Sequence, residues 1–353
     1  AGAAALPVAL PKQIVPDYGG VEVSAASTNL SSLTDALLYL VHYPYECAEQ
    51  RASRIAAIAA LRDEIAAFHA QELPSGAALD ASMADDLEHL ANMQTSDGGF
   101  AYWTTDEPSD PYLTIFVVDA LARARAKGLH VPDALLARAR PYVANIEAHI
   151  DPRWDLATRT ALSAYALAVR AELGDRDLEK AARVLAAAGD RLPVEAAGHL
   201  LQVFGDAPSA AGERARLERF AENHAVETAG AANFTTGYSD DGAHLLLASD
   251  RRADAVMLDG LIAAEPASDL IPKLVQGLLA HRTKGHWDNT QEDAFVLLAL
   301  DRYFRTYEKI APDFVARVWL GDGYAGDHTF AGRTAETYAV AIPMPEVARR
   351  DGS

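Results

Sequence analysis

The feature that most restricts the fold of this chain is a recurrence: an aromatic residue followed shortly by a helix rich in small and aliphatic residues. Tyr45 leads into a helix from about Ala48, Phe100 and Trp103 precede one from Pro111, and Trp154 precedes one from Ala157. Phe234 and Tyr238 precede one from about Asp241, and Trp287 precedes one from Gln291. A sixth begins after Pro193 without an aromatic lead-in. Apolar residues three and four apart mark these as helices. Between them lie amphipathic, charge-bearing segments: Leu33 to Val41, Ser82 to Met93, Asp133 to Glu147, Leu178 to Ala188, Glu213 to Asn223 and Ser268 to Arg282. Polar faces suit an outer layer exposed to water and small-residue helices an inner one, so the pattern predicts an all-α domain, an α/α toroid of about six inner and six outer helices. The segment Arg252 to Ala264 stands outside that count.

The two ends read differently. Gly20 to Ala25, Phe314 to Leu320 and Thr337 to Ile342 carry strand-like runs. The organisation expected is a β segment over residues 1–28, the toroid over 29–311 and a second β segment over 312–353, the two β pieces meeting as one unit because an inserted domain leaves and re-enters its host at neighbouring points. With half of 353 residues apolar, the chain has enough material for a large core. A net charge of -19 opposes any nucleic-acid backbone. No apolar run is long enough to cross a bilayer, and Ala1 to Pro11 lacks the positive region of a signal peptide, so any export or anchoring segment is expected outside this chain. A single cysteine excludes an intrachain disulfide.

That cysteine would ordinarily be a small buried hydrophobe, but its surroundings point elsewhere. In Tyr43-Pro44-Tyr45-Glu46-Cys47-Ala48-Glu49-Gln50, Cys47 and Gln50 are three residues apart at a helix start, so a thiolate there can reach the Gln50 amide carbon. Backbone N–H groups and the positive helix end at that terminus favour a thiolate and a developing oxyanion. The Cys-x-Glu-Gln core resembles the thioester motif of the bacterial alpha-2-macroglobulin and complement family. The Asp97-Gly98-Gly99-Phe100 to Trp103 stretch, followed by Tyr112-Leu113-Thr114, is similar to these domains too, as is Trp287-Asp288-Asn289-Thr290-Gln291-Glu292-Asp293.

The resemblance implies a Cys47–Gln50 thioester supported by Tyr45, Glu46 and Glu49, and a flanking β unit that is a CUB-like host domain. It implies a non-enzymatic endopeptidase inhibitor: a protease cuts a bait segment elsewhere in a longer chain, and the exposed thioester acylates an amine or hydroxyl on the attacker. Partners would be target proteases, other nucleophile-bearing surfaces and neighbouring domains of the parent chain, in the periplasm, with a membrane reached only through an upstream lipid anchor. No cofactor or metal is implied. Many family members carry Gly where this chain has Glu46, and a carboxylate beside the sulfur is expected to raise the thiol pKa slightly.

Plainer readings stand beside these. Glu49 either orients the Gln50 amide and assists proton transfer or is an acid placed favourably in a first helical turn. His42, His199, His244 and His286 are the histidines that by type alone could relay an acyl group, and each also fits a capping or packing role. Phe100, Trp103, Trp154 and Trp287 either pack or line a cavity. The alternative function is an α/α-toroid enzyme such as a glycoside hydrolase, polysaccharide lyase or terpene cyclase; Asp240 and Asp241, or the cluster Asp106, Glu107 and Asp110, are the carboxylates that could act as acid and base, but on a chain this acidic they read as solvated loops, and no Asp-x-Asp-Asp motif is present.

Overall fold

The computed structural model describes residues 15, 18–26, 33–68, 74–228, 230–307, 313–332 and 337–349. The expected boundaries at 28/29 and 311/312 lie outside these. The chain divides into two compact units, one helical over residues 33–66 and 71–309, the other over residues 1–32, 67–70 and 310–353.

In the helical unit, six helices are buried on nearly every side, α2 being so over Ala48 to Arg62: α2 (Ala48–Phe68), α4 (Pro111–Ala126), α6 (Leu156–Glu172), α8 (Val194–Phe204), α11 (Asp250–Ala264) and α13 (Thr290–Tyr307). In α4 every residue from Pro111 to Ala122 is buried, and in α13 every residue from Thr290 to Asp301. Small side chains make such all-round burial possible, since they let neighbouring helices close up. Successive members pack together in the order α4, α6, α8, α11, α13. The Glu49 carboxylate bonded to Thr290 and Gln291 then joins α2 to α13. The other helices return the chain outside the ring: α1 (Thr34–Val41), α3 (Gly76–Met93), α5 (Asp133–Ala144), α7 (Leu178–Ala188), α9 (Ala211–His224) and α12 (Leu270–Ala280). They bury one stripe each, as α7 does through Ala181, Leu185 and Ala188 at helical spacing. Among the described residues no helix is long and apolar enough to cross a membrane.

One inner helix differs from expectation. The helix begun at Asp240 is only six residues long (α10, Asp240–Leu245), and the inner position belongs to α11, the segment that stood outside the count. Ser239 does cap a helix there, accepting from Gly242 N. The run stops because Leu247 takes a left-handed φ of 48° and Ser249 caps a new helix two residues later. The following helix buries Arg252 to Ile262. It crosses α8 closely: Gly198 lies against the Val256 carbonyl, where an added Cβ would sit 2.7 Å from the oxygen, and Gly260 lies against the Gly198 carbonyl. Between α9 and α10 a two-residue ladder pairs β2 (Val226–Glu227) with β3 (Ala232–Asn233).

In the second unit, β1 (Gly20–Ala26) pairs antiparallel with β6 (Thr337–Pro343), from Gly20 opposite Pro343 to Ala26 opposite Thr337. β4 (Asp313–Leu320) forms a hairpin with β5 (Gly323–Ala331), and a short helix, α14 (Met344–Ala348), follows β6. Val340, Ile342 and Val347 form its small core, with Val21, Val23, Val318 and Leu320 packed on them. The strand β5 was not foreseen, since Gly323, Gly326 and Asp327 dilute its alternation. The turn before it, Gly321-Asp322 with Gly321 at φ 58°, is the two-residue kind that closes hairpins.

Candidate functional site

Cys47 stands at the N-cap of α2, at the end of the ring where the inner helices begin, and its side chain is buried, 5% exposed. A helix start leaves its first N–H groups without partners in the helix, and each of those here is accounted for. The Cys47 N–H donates to Gln50 Oε1 at 3.0 Å. The Ala48 N–H donates to the Tyr102 carbonyl at 2.9 Å. The N–H groups of Glu49 and Gln50 face the Cys47 sulfur and favour its thiolate. Cap side chain to third helical residue and third side chain back to the cap is a capping box, built here from a thiol and an amide. Sequence spacing thus becomes contact: the Gln50 amide is drawn back over the residue that carries the sulfur.

The Tyr102 carbonyl arrives through the Asp97-Gly98-Gly99-Phe100 turn. Gly98 has a φ of 90° and lies against the Arg138 carbonyl, while a Cβ on Gly99 would strike Tyr142 and Ser109. Asp97 accepts from Gly99 N at 3.0 Å, and Phe100 N donates to Thr114 Oγ1 at 2.8 Å. The glycine motif therefore serves the Cys47 helix start.

Burial pushes the Cys47 thiol pKa up, the two N–H donors hold it back, and the Glu49 charge raises it further. Two expectations need correcting. The helix terminus does favour the thiolate through those N–H groups, but desolvation outweighs them. The carboxylate felt by the sulfur is Glu49 rather than Glu46. Glu46 is turned onto Arg51 at 2.8 Å and Arg54 at 3.7 Å, and both guanidiniums also bond the fully buried Asp86.

Glu49 is buried and accepts from Ser53 Oγ at 2.8 Å, Thr290 Oγ1 at 2.9 Å and Gln291 Nε2 at 2.7 Å. It is a clamp between α2 and α13, a role its position in the sequence did not suggest. Tyr45 is 63% exposed and packs edge-on against Tyr43, which meets Tyr39 in the same way. Tyr39 in turn stacks on His286 at 4.0 Å. His199 stacks on Tyr165, and burial beside Arg252 and Arg123 pushes its pKa down to about 3, keeping the ring neutral. His42 closes the end of α1 and His244 lies in α10.

Phe100 and Trp287 are buried, whereas Trp103 is 54% exposed. Of the carboxylates weighed as an acid pair, Asp110 caps α4 at Leu113 N and Glu107 accepts from Trp103 N. Asp240 and Asp241 lie in the first turn of α10. Among the described residues no three or more His, Cys, Asp or Glu are grouped to hold a metal ion.

Sequence reading missed a polar hub at the mouth of the ring. Gln291 passes from Glu49 to the Tyr112 hydroxyl, which accepts from Arg252 Nη1. Arg252 Nε donates to Glu195 at 2.7 Å, and the Tyr238 hydroxyl donates to Glu195 at 2.8 Å. Glu49, Tyr112, Glu195 and Gln291 are each the second residue of an inner helix, and Arg252 is the third. A polar side chain recurring in that slot was the available signal.

No family model matches the chain. It is 26% identical over 98% of its length to the alpha-2-macroglobulin homolog of Nostoc, of which it spans 18%. Its fold matches native Escherichia coli alpha-2-macroglobulin with a TM-score of 0.66 at 20% identity, covering 95% of this chain and 20% of that one. A form of the same protein activated by porcine elastase matches at 0.60 over 93% of this chain and 30% of that one, again at 20% identity. Salmonella alpha-2-macroglobulin reacted with methylamine matches at 0.65 and 19% identity, over 93% of this chain and 20% of that one. Sequence relatedness thus runs along nearly the whole chain, and with the toroid and its mouth in place the chain is similar in sequence and in fold to the bacterial alpha-2-macroglobulins.

Proposed function

We propose that this chain is the reactive portion of a longer protease inhibitor, in which Cys47 and Gln50 form an internal thioester that acylates a captured target. The observation that carries the reading is the Cys47 N–H on Gln50 Oε1 at 3.0 Å beside a buried sulfur. In bond formation the sulfur attacks Gln50 Cδ, and charge develops on Oε1, where that N–H already points. The C–N bond breaks and the amide nitrogen leaves as ammonia, carrying the thiol proton. In target capture a Lys amine or a hydroxyl attacks the same carbon, the C–S bond breaks, and the sulfur takes up the attacker's proton. A thioester lacks most of the resonance that makes an amide inert, so it must be sheltered until the target arrives.

The reaction of the Salmonella relative with methylamine and the elastase-activated form of the Escherichia coli relative support an amine-reactive, protease-responsive role. On this reading the trigger is cleavage of a bait segment outside this chain. The β unit is part of a CUB-like host domain, with residues 1–28 and 312–353 as its two pieces. The parent protein works in the periplasm, tethered through an upstream lipid; cell fractionation of the full-length protein tests that placement.

Intact mass tests the bond. The full-length protein, purified quickly at mild pH, should weigh one ammonia less than its sequence and resist alkylation, and methylamine should add once and free one thiol. Cys47→Ala should do neither, attach to no protease, and keep its helical fold. A free thiol beside an unmodified Gln50 in that preparation would reject the covalent trap and leave a binding role.

A further inference from the structure

We propose that Gln291, Tyr112 and Arg252 form a positioning relay that sets the reactivity of Cys47 through Glu49. The proposal rests on the reading of Cys47 as the reactive group and goes beyond the two residues of the bond. Glu49 lies in the turn whose N–H groups hold the sulfur, and its carboxylate is the charge that raises the thiol. Wherever that carboxylate is held, the first turn of α2 is held too.

The relay has a fixed direction. Arg252 can only donate, so the Tyr112 hydroxyl accepts from it and gives its single proton to Gln291 Oε1. With its oxygen committed, Gln291 turns its NH2 to Glu49. The polarity thus runs one way from guanidinium to carboxylate, and each bond strengthens the next in a dry surrounding. Apolar packing alone does not call for such an arrangement, because burying these charges costs desolvation that aliphatic residues of the same volume avoid.

The far end of the relay lies in the segment 234–249. Arg252 donates to the carbonyls of Leu246 and Leu247, the latter in a backbone conformation leucine rarely adopts. Tyr238 holds Glu195 and Ser239 holds Asp155, the cap of α6. A shift of that segment would therefore reach Cys47 without touching it.

The test uses the full-length protein. Two quantities are measured for each variant: the rate at which methylamine frees the thiol, and the pH profile of Cys47 alkylation by iodoacetamide after opening. Tyr112→Phe, which removes one oxygen, and Gln291→Met should each change the release rate on the order of three- to tenfold and shift the alkylation profile. The pair combined should do no more than the larger single change. Tyr238→Phe should act in the same direction and less. Arg123→Met, which breaks a buried ion pair with Asp119 and Asp259 at the opposite end of the inner helices, should lower the unfolding temperature and leave both readouts at the wild-type value. Relay variants that behave like Arg123→Met overturn the proposal. Should the wild-type mass show no loss of ammonia, the thioester reading fails by itself, and the alkylation profile of the free Cys47 decides the relay by the same shift or its absence.

Discussion

Cys47 is a helix cap and, in the function proposed above, also the reactive group, and the two roles make different demands. As a cap it needs only a short side chain with an acceptor atom, which serine supplies better. Cys47→Ser should therefore unfold within about 1 kcal/mol of wild type while losing every response to methylamine, and calorimetry with a thiol assay would separate the two roles. Asp293, in the first turn of α13, allows a second prediction at this scale. It accepts from Trp287 N at 3.0 Å, its other oxygen is buried without a partner, and burial pushes its pKa up to about 8. A carboxyl raised in the fold binds its proton more tightly there than in the unfolded chain. Its contribution is complete below about pH 4 and is lost as the pH rises through 8. Asp293→Asn keeps the acceptor and removes the charge, so it should gain on wild type between pH 5 and pH 9, by on the order of 2 kcal/mol in denaturant titrations.

At the scale of elements, the crossing of α8 and α11 makes its own prediction. In an exposed helix, Gly→Ala is worth about 1 kcal/mol of stability. Here Gly198→Ala would drive a methyl against the Val256 carbonyl, and Gly260→Ala one against the Gly198 carbonyl. Each should instead cost about 1–3 kcal/mol, measurable as a lower unfolding midpoint. This crossing also shows where the sequence was legible and where it was not. The small-residue runs of α2, α4 and α13 announced buried helices, because burial on all sides leaves no polar stripe. The Ser239 cap was a true local signal that opened only a short helix, because the Leu247 turn that ends it is held by the Arg252 guanidinium donating to the Leu246 and Leu247 carbonyls, and Ser249 then caps the next helix. In the same way β5 is held by its pairing with β4 more than by its own side chains.

For the whole molecule, the helical unit carries its own core, so residues 33–309 made alone should keep a helical circular dichroism spectrum and a cooperative unfolding transition. A non-cooperative melt would show that the β unit is needed for the ring to hold. The toroid was legible because its repeat is written in composition. The hub was not, because its members lie up to 242 residues apart in sequence and only ring closure brings Glu49 to Gln291. The capping box carries a last consequence. When water opens the proposed thioester, residue 50 becomes a glutamate, and glutamate closes such a box at a helix start as well as glutamine does, with the dipole in its favour. A spent molecule would therefore carry no scar: same cap, same ring, same melting behaviour. Used and unused copies would share one fold and differ by one water in mass and by one free thiol.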